Sequence, residues 1–404
     1  NIFDNKKIKT DKDVQGFIQY FNKLSIELDN IETISDWHQV YNNICNWSIK
    51  LSDIDDKNIL NMLNDQKKAI NNKFCRFVLG NYKKWIDEKQ DSSSNPILSH
   101  QIFDNTLKPI IEDKKQLVFI IIDCLRLDQW KMISKLLQPD YNIKENFHTA
   151  IIPTATPFAR NAIFSGMLPN DLKKEYPDIW DKMFNNNKLN GFEDVLFDKL
   201  LLKNDLNHLK HKYIKISDFN SGKRFMNKIN DYKNTDILNI VVNFVDILGH
   251  SRSESKVLSE LIPNEIAYRK SIYNWFENSW LYDALCTFRN WDNLDIVITS
   301  DHGNININKP QLVKGDQTTS LGIRYKYGRN LRVNNKHVLK ISNPLDYNLP
   351  MFDINTEYII AKDNSYFVYN NDYHKYVNMY KNTFQHGGIS MDEMIVPLIS
   401  LCKK

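Results

Sequence analysis

Apolar side chains recur every three or four positions through the first part of the chain. Phe17, Tyr20, Phe21, Leu24 and Leu28 fall on one helical face, with Asn, Lys and Glu filling the other. Trp37, Val40, Tyr41, Ile44, Trp47 and Leu51 make a second stripe, with Ser35 and Asp36 ahead of it as expected caps. A third and longer stripe runs through Ile59, Met62, Leu63, Ile70, Phe74, Phe77, Val78 and Trp85. This spacing predicts a small three-helix bundle domain over residues 1–95, closed by the linker-like KQDSSSNP at 89–96. Helical spacing already accounts for its aromatic residues as core, without a ligand.

After residue 115 the period changes. Short β-branched runs appear at QLVFIIID (116–123), ILNIVVNFVD (237–246), LDIVITSD (294–301) and MIVPLISL (394–401), with helix-like stretches between them. Continuous apolar runs of this length suit strands buried on both faces. Residues 96–404 are therefore expected to form an α/β domain, its central, mostly parallel sheet covered by helices. No repeat occurs at the usual solenoid periods.

Composition narrows the class without naming a chemistry. Of 404 residues, 42% are apolar and 25% charged, as in ordinary folded proteins. The net charge of +4 comes from 53 basic and 49 acidic residues, too even a mixture to imply a strong field. Five scattered cysteines, with no C-x-x-C pair, suggest neither a disulfide framework nor a thiolate zinc site and fit a reducing, cytoplasmic compartment. The N-terminus has no signal-peptide core, and LVFIII at 117–122 is too short to span a bilayer, so no membrane association is expected. A start at Asn rather than Met leads us to expect an upstream portion.

Three of the predicted strands run into aspartates: Asp123, Asp246 and Asp301. Ligands of open α/β sheets gather outside the carboxyl ends of the strands, so these acids should converge. Three histidines accompany them, His250, His302 and His386. Any single acid could cap a helix, but six oxygen and nitrogen donors suit a borderline metal such as zinc and outnumber the needs of one tetrahedral ion. Two Zn2+ ions are expected, since converging carboxylates repel unless cations neutralise them. Cys124, next to Asp123 on a strand, should point the opposite way and stay outside the ligand set. Thr156 precedes Pro157 at a predicted helix N-terminus, where the dipole attracts phosphate; it is the candidate nucleophile, with Thr154 as the alternative. Arg160, a turn later, is expected either to hold a phosphoryl oxygen or, as an exposed residue, to pair with a glutamate. The polar, basic stretch 311–330 reads either as a substrate loop, with Lys314, Arg324 and Lys326 as candidate phosphate contacts, or as a merely solvated loop.

The motifs DCLRLDQWK, PTATPFARNAIFSG, NFVDILGHSR, TSDHG, GDQTTSLGIRYK and TFQHGGISMDEMIVP together resemble the PglZ-domain branch of the alkaline phosphatase superfamily, and within it the response regulators of the type IX secretion system. The resemblance covers nearly the whole chain, with DCLRL standing where that branch often has DNLRY. It implies an alkaline-phosphatase-like fold, a zinc held by Asp246, His250 and His386, and a second held by Asp123, Asp301 and His302 with the Thr156 oxygen. It also implies a two-metal phosphodiesterase acting on nucleotide or oligonucleotide phosphodiesters through Thr156, as the effector part of a regulator whose receiver domain lies upstream. The alternative it allows is a signalling module that binds a sigma factor or secretion component, with a mainly structural metal site. On that alternative the helical segment would relay a receiver signal or mediate a homodimer.

Overall fold

The three apolar stripes fold as α1 (Ile2–Glu27), α2 (Ile34–Lys50) and α3 (Lys57–Trp85) in a computed structural model of the chain, which describes residues 2–54, 56–87, 94–185, 188–316, 320 and 322–404. Residues 88–93, all but the first within the expected linker, lie outside the described residues, as do 317–319 and 321 of the expected substrate loop. Two compact units result, Asn1–Pro96 and Ile97–Lys404.

In the first unit Phe17, Phe21, Leu24, Trp37, Tyr41, Ile44, Phe74 and Val78 are buried together. Phe17 meets Trp47 edge-on at 6.1 Å, joining α1 to α2, and Trp37 meets Phe74 at 5.4 Å, joining α2 to α3. Met62 departs from the third stripe, with 39% of its surface exposed. The cap of α2 is Thr33, ahead of the expected Ser35: its hydroxyl accepts from the Asp36 N–H while the Asp36 carboxylate accepts from the Thr33 N–H. This reciprocal box satisfies two free donors, so the helix starts one residue before Ser35.

The larger unit is built on a six-stranded sheet. Its first five strands in chain order are β1 (Gln116–Ile122), β2 (Tyr141–Thr149), β3 (His211–Ile216), β4 (Ile237–Val242) and β5 (Leu294–Thr299). There follow β6 (Ile305–Ile307), β7 (Lys309–Val313), β8 (Tyr325–Gly328), β9 (Val338–Ile341), β10 (Glu357–Ala361), β11 (Ser365–Tyr369), β12 (Thr383–Gln385) and β13 (Ile395–Lys403). The main sheet has the order β2-β13-β5-β1-β4-β3. Pairs β5-β1, β1-β4 and β4-β3 are parallel, and β13 is antiparallel to both β5 and β2. Along β1 every residue from Leu117 to Ile122 is buried, as the unbroken apolar run predicts for a central strand. Leu117, Phe119 and Ile121 pack on Phe164, Phe197 and Val241 from the helices and strand on that side.

The apolar runs mark the central strands, whereas β2 and β3 carry half-exposed polar residues that do not stand out in sequence. Both are edges of the sheet, where solvent replaces a neighbour. The remaining strands make a three-stranded sheet, β8-β10-β9, and two pairs, β11-β7 and β12-β6. The stretch 311–330 is therefore more than a loop, since it contributes to β7 and β8. Among the described residues, no helix is long and apolar enough to cross a membrane.

Candidate metal centre

The acids arrive from three neighbouring parallel strands. Asp123 directly follows β1, and Asp301 lies two residues beyond β5. Asp246 corrects the sequence expectation: β4 stops at Val242, and Asp246 sits in the first turn of the helix Phe244–Glu254. The apolar Phe244 and Val245 that prolong the strand pattern are helical residues, the first stacked on Trp275 at 4.1 Å and the second buried. Helical spacing then puts His250 on the face of Asp246, with its Nε2 3.3 Å from Asp246 Oδ1. His386 reaches the same edge because β13 runs antiparallel, so the segment ahead of it begins where β5 ends. β12 fixes its approach by pairing Gln385 with Ile305, three residues beyond His302.

Two sets of ligand-type atoms result, each with all its members within 4.8 Å of one another: Asp246, His250 and His386 form the outer set, and Asp123, Asp301 and His302 the inner one. Their exposures differ sharply. The His250 side chain is 46% exposed, whereas His302 and Asp301 are shut off from solvent. The His302 and His386 rings stack at 4.2 Å, so the two sets adjoin.

The inner set has the donor chemistry a divalent cation requires. Asp123 Oδ2 accepts from Arg160 at 2.6 Å, while its buried Oδ1 has no hydrogen-bond partner. Asp301 Oδ1 accepts from the His302 N–H at 3.1 Å, and its buried Oδ2 likewise lacks a hydrogen bond. Each carboxylate is thus held by one oxygen and offers the other, an arrangement costly to bury without a cation. Burial, with the Asp301 charge beside it, pushes the Asp123 carboxyl up to about 8, and burial raises Asp301 as well. Asp246 moves the other way: burial opposes its ionisation, but the His250 hydrogen bond and the nearby imidazoles hold it below the usual carboxylate range.

The imidazoles are set as neutral ligands. His302 Nδ1 faces the Gly303 carbonyl at 3.1 Å and His386 Nδ1 the Thr154 carbonyl at 3.3 Å. A carbonyl can only accept, so Nδ1 carries the proton and Nε2 presents its lone pair. Burial lowers both, His386 to about 3, which keeps them unprotonated.

Thr156 is the first residue of the helix Thr156–Ser165, and its side chain makes no cap. Its Oγ1 instead lies 3.0 Å from His302 Nε2. Few backbone amides are free for an anion here: Pro157 has none, and the Phe158 and Ala159 N–H groups both donate to the Ala155 carbonyl. What remains for an anion is mainly the helix dipole. Thr154 is a latch, donating to the Gly388 carbonyl at 2.7 Å and accepting from the Gly387 N–H at 3.2 Å beside His386.

The basic residues depart from expectation. Arg160 is buried, its guanidinium committed to Glu193 and Asp123 at 2.6 Å each, so it holds carboxylates and not a phosphoryl oxygen. Arg324 is buried in a two-pronged pair with Glu393, both contacts at 2.7 Å. Lys326 is buried too, donating to the Ser320 carbonyl at 3.2 Å. Of the three residues expected to contact phosphate, only Lys314 is exposed. Sequence reading missed Glu193, which lacks any local mark of burial, and Tyr325, whose ring packs edge-on against Phe158 at 5.7 Å and fills the space a side chain at Gly387 would need.

Residues 102–401 match the family described as the BREX system PglZ alkaline phosphatase-like domain. Residues 7–86 match the PorX response regulator linker domain. No curated protein matches the chain. Among solved structures, murine ectonucleotide pyrophosphatase/phosphodiesterase 5 is similar at 12% identity, covering 71% of this chain and 87% of that one with a TM-score of 0.40. An inactive variant of that protein in complex with AMP is similar at 11% identity, with the same coverage and TM-score.

Proposed function

The chain belongs to the PglZ family of alkaline phosphatase-like domains, and from that premise we propose that it is a zinc-dependent phosphodiesterase acting on oligonucleotide phosphodiesters, with Thr156 as nucleophile. The observation that carries this reading is the position of Thr156: a hydroxyl that caps nothing, 3.0 Å from the inner-set His302, at a helix N-terminus where two ligand sets meet. Asp246, His250 and His386 would hold one ion, and Asp123, Asp301 and His302 the other, with the Thr156 oxygen as a further ligand. The ions, when bound, supply Lewis acidity for a phosphoryl oxygen and lower the pKa of a coordinated hydroxyl.

The protein's own residues do the rest. The Asn190 side chain donates to the Thr156 carbonyl at 3.1 Å, which steadies the start of the helix. The Thr156 oxygen, its proton given up to solvent, forms the new bond to phosphorus as the bond to the leaving alkoxide breaks, and the alkoxide takes up a proton from water; a second water then cleaves the threonyl ester, leaving the phosphate product and the restored hydroxyl. The dipole of the helix Thr156–Ser165 favours the negative charge of the phosphoryl group. Burial of the inner set keeps water away from its carboxylates and strengthens the field there. The match of residues 7–86 to a response-regulator linker domain supports a place as the effector part of a PorX-like regulator in type IX secretion signalling.

Purified chain with Zn2+ should hydrolyse a chromogenic bis-phosphodiester and short oligonucleotides. Thr156→Val should lower the rate by about 10³-fold or more, while metal content, measured by plasma mass spectrometry, falls far less, because Asp123, Asp301 and His302 remain. Wild-type and variant rates that coincide at background would remove the enzyme reading.

A further inference from the structure

Behind the inner ligand set lies a buried ion network that the proposed reaction does not use. Arg160 stands one helical turn after Thr156 on the same helix. Its guanidinium donates to Asp123 Oδ2 and to Glu193 Oε1, both at 2.6 Å, and passes 3.7 Å from Asp301 Oδ2. Glu193, in the helix Glu193–Lys203, is as buried as Arg160, and its other oxygen accepts from the Tyr213 hydroxyl on β3. All four charged side chains are almost fully buried, so their formal charges must balance locally.

With Asp123 and Asp301 ionised, as ligands of a cation must be, these two and Glu193 carry three negative charges and Arg160 one positive charge. The remainder is two negative charges beside two buried carboxylate oxygens that accept no hydrogen bond, Asp123 Oδ1 and Asp301 Oδ2. One divalent cation cancels it. Without Glu193 the remainder would be a single negative charge, with Arg160 paired only to the two acids that the cation also needs. Without Arg160 it would be three, and Asp123 would lose the contact that orients it.

We propose that Arg160 and Glu193 are positioning residues for the inner metal: Arg160 is a resident cation that holds Asp123 and Asp301 together before metal arrives, and Glu193 sets the charge of the pocket to match one divalent ion. This rests on the reading of the inner set as a metal site. Because Arg160 and Thr156 share a helix, filling the inner set also fixes the nucleophile's helix against the acids.

The test uses the full chain, stripped of metal and titrated with Zn2+ by calorimetry and with Co2+ by visible absorption, beside thermal melts with and without chelator. Glu193→Gln, nearly the same shape, should fold yet bind the inner ion on the order of 10- to 100-fold more weakly. Its Co2+ spectrum should lose the inner-set contribution, which a merely structural glutamate would not affect. Arg160→Met should melt lower than wild type when stripped, and metal should raise its melting temperature more than it raises that of wild type. Arg160→Lys should recover part of the stripped stability, since it restores the charge without the fork. Wild type binding no divalent ion would overturn the metal reading itself. Wild type binding two ions, with Glu193→Gln at the same affinities and Arg160→Met showing the same metal-induced rise, would overturn this proposal alone.

Discussion

Replacing Arg324 with methionine separates a structural brace from a substrate contact. Its fork meets both Glu393 oxygens at 2.7 Å and a further nitrogen donates to the Ser365 carbonyl, all out of solvent. Glu393 also accepts from the Gly388 N–H at 2.8 Å and the Ser390 hydroxyl at 2.5 Å, so this one carboxylate anchors the loop that follows His386. Arg324→Met leaves that carboxylate buried without its counter-cation, a loss of about 3–5 kcal/mol. Unfolding entropy of about 2 cal/mol/K per residue, over a unit of about 300 residues, converts this into a fall of roughly 5–8 °C in the melting temperature of the larger unit. Scanning calorimetry of the full chain reads that fall directly. The double variant Arg324→Met, Glu393→Gln should recover part of it, because the amide carries no charge to strand while its oxygen still accepts from the loop. An unchanged melting temperature combined with a raised KM on the chromogenic diester would refute the brace and return Arg324 to substrate binding.

Three further outcomes follow from other residues. Burial lowers the Lys326 ammonium from its ordinary 10.5 to about 8, so below pH 8 the charged form costs the fold about 3 kcal/mol, a penalty that fades as pH rises from 8 to 10.5. Lys326→Met should therefore be more stable than wild type at pH 7 and lose the wild-type rise in urea midpoint between pH 8 and 10.5; parallel pH curves for the two proteins would count against a buried charge. A Cβ on Gly303 would lie 1.9 Å from the Asp392 carbonyl oxygen, so Gly303→Ala should destabilise by about 3 kcal/mol or more, and a soluble variant with an unshifted melt would show that the backbone yields. Thr154→Val removes the hydrogen bonds to Gly387 and Gly388 and should cost about 1–3 kcal/mol and weaken outer-set metal binding in a chelator competition; unchanged values in both would show the latch to be idle.

The fold class was legible because its signals are local. The stripes of α1, α2 and α3 repeat at the helical period, and the strands β1, β4, β5 and β13 are buried on both sides, so each reads as an apolar run. The expectation of acids at strand ends also follows from chain direction, since parallel strands must all present their carboxyl ends to one edge. Asp246 shows the limit: the period cannot tell where a strand gives way to a helix when Phe244 and Val245 are apolar in either.

Tertiary structure alone decided which charges face solvent and which face each other. Arg160 lies 33 residues from Glu193 and 37 from Asp123, and Arg324 lies 69 from Glu393. No spacing rule links such pairs, and an arginine in a loop or on a helix reads the same whether it awaits a phosphate or is already bound to a carboxylate. The edge strands β2 and β3 fall on the same side of that divide, because their polar alternation acquires meaning only beside a neighbour. Sequence carries what a segment does with its own nearest residues, while the partners of a buried charge are chosen by the electrostatic cost of leaving it alone once the chain has closed around it.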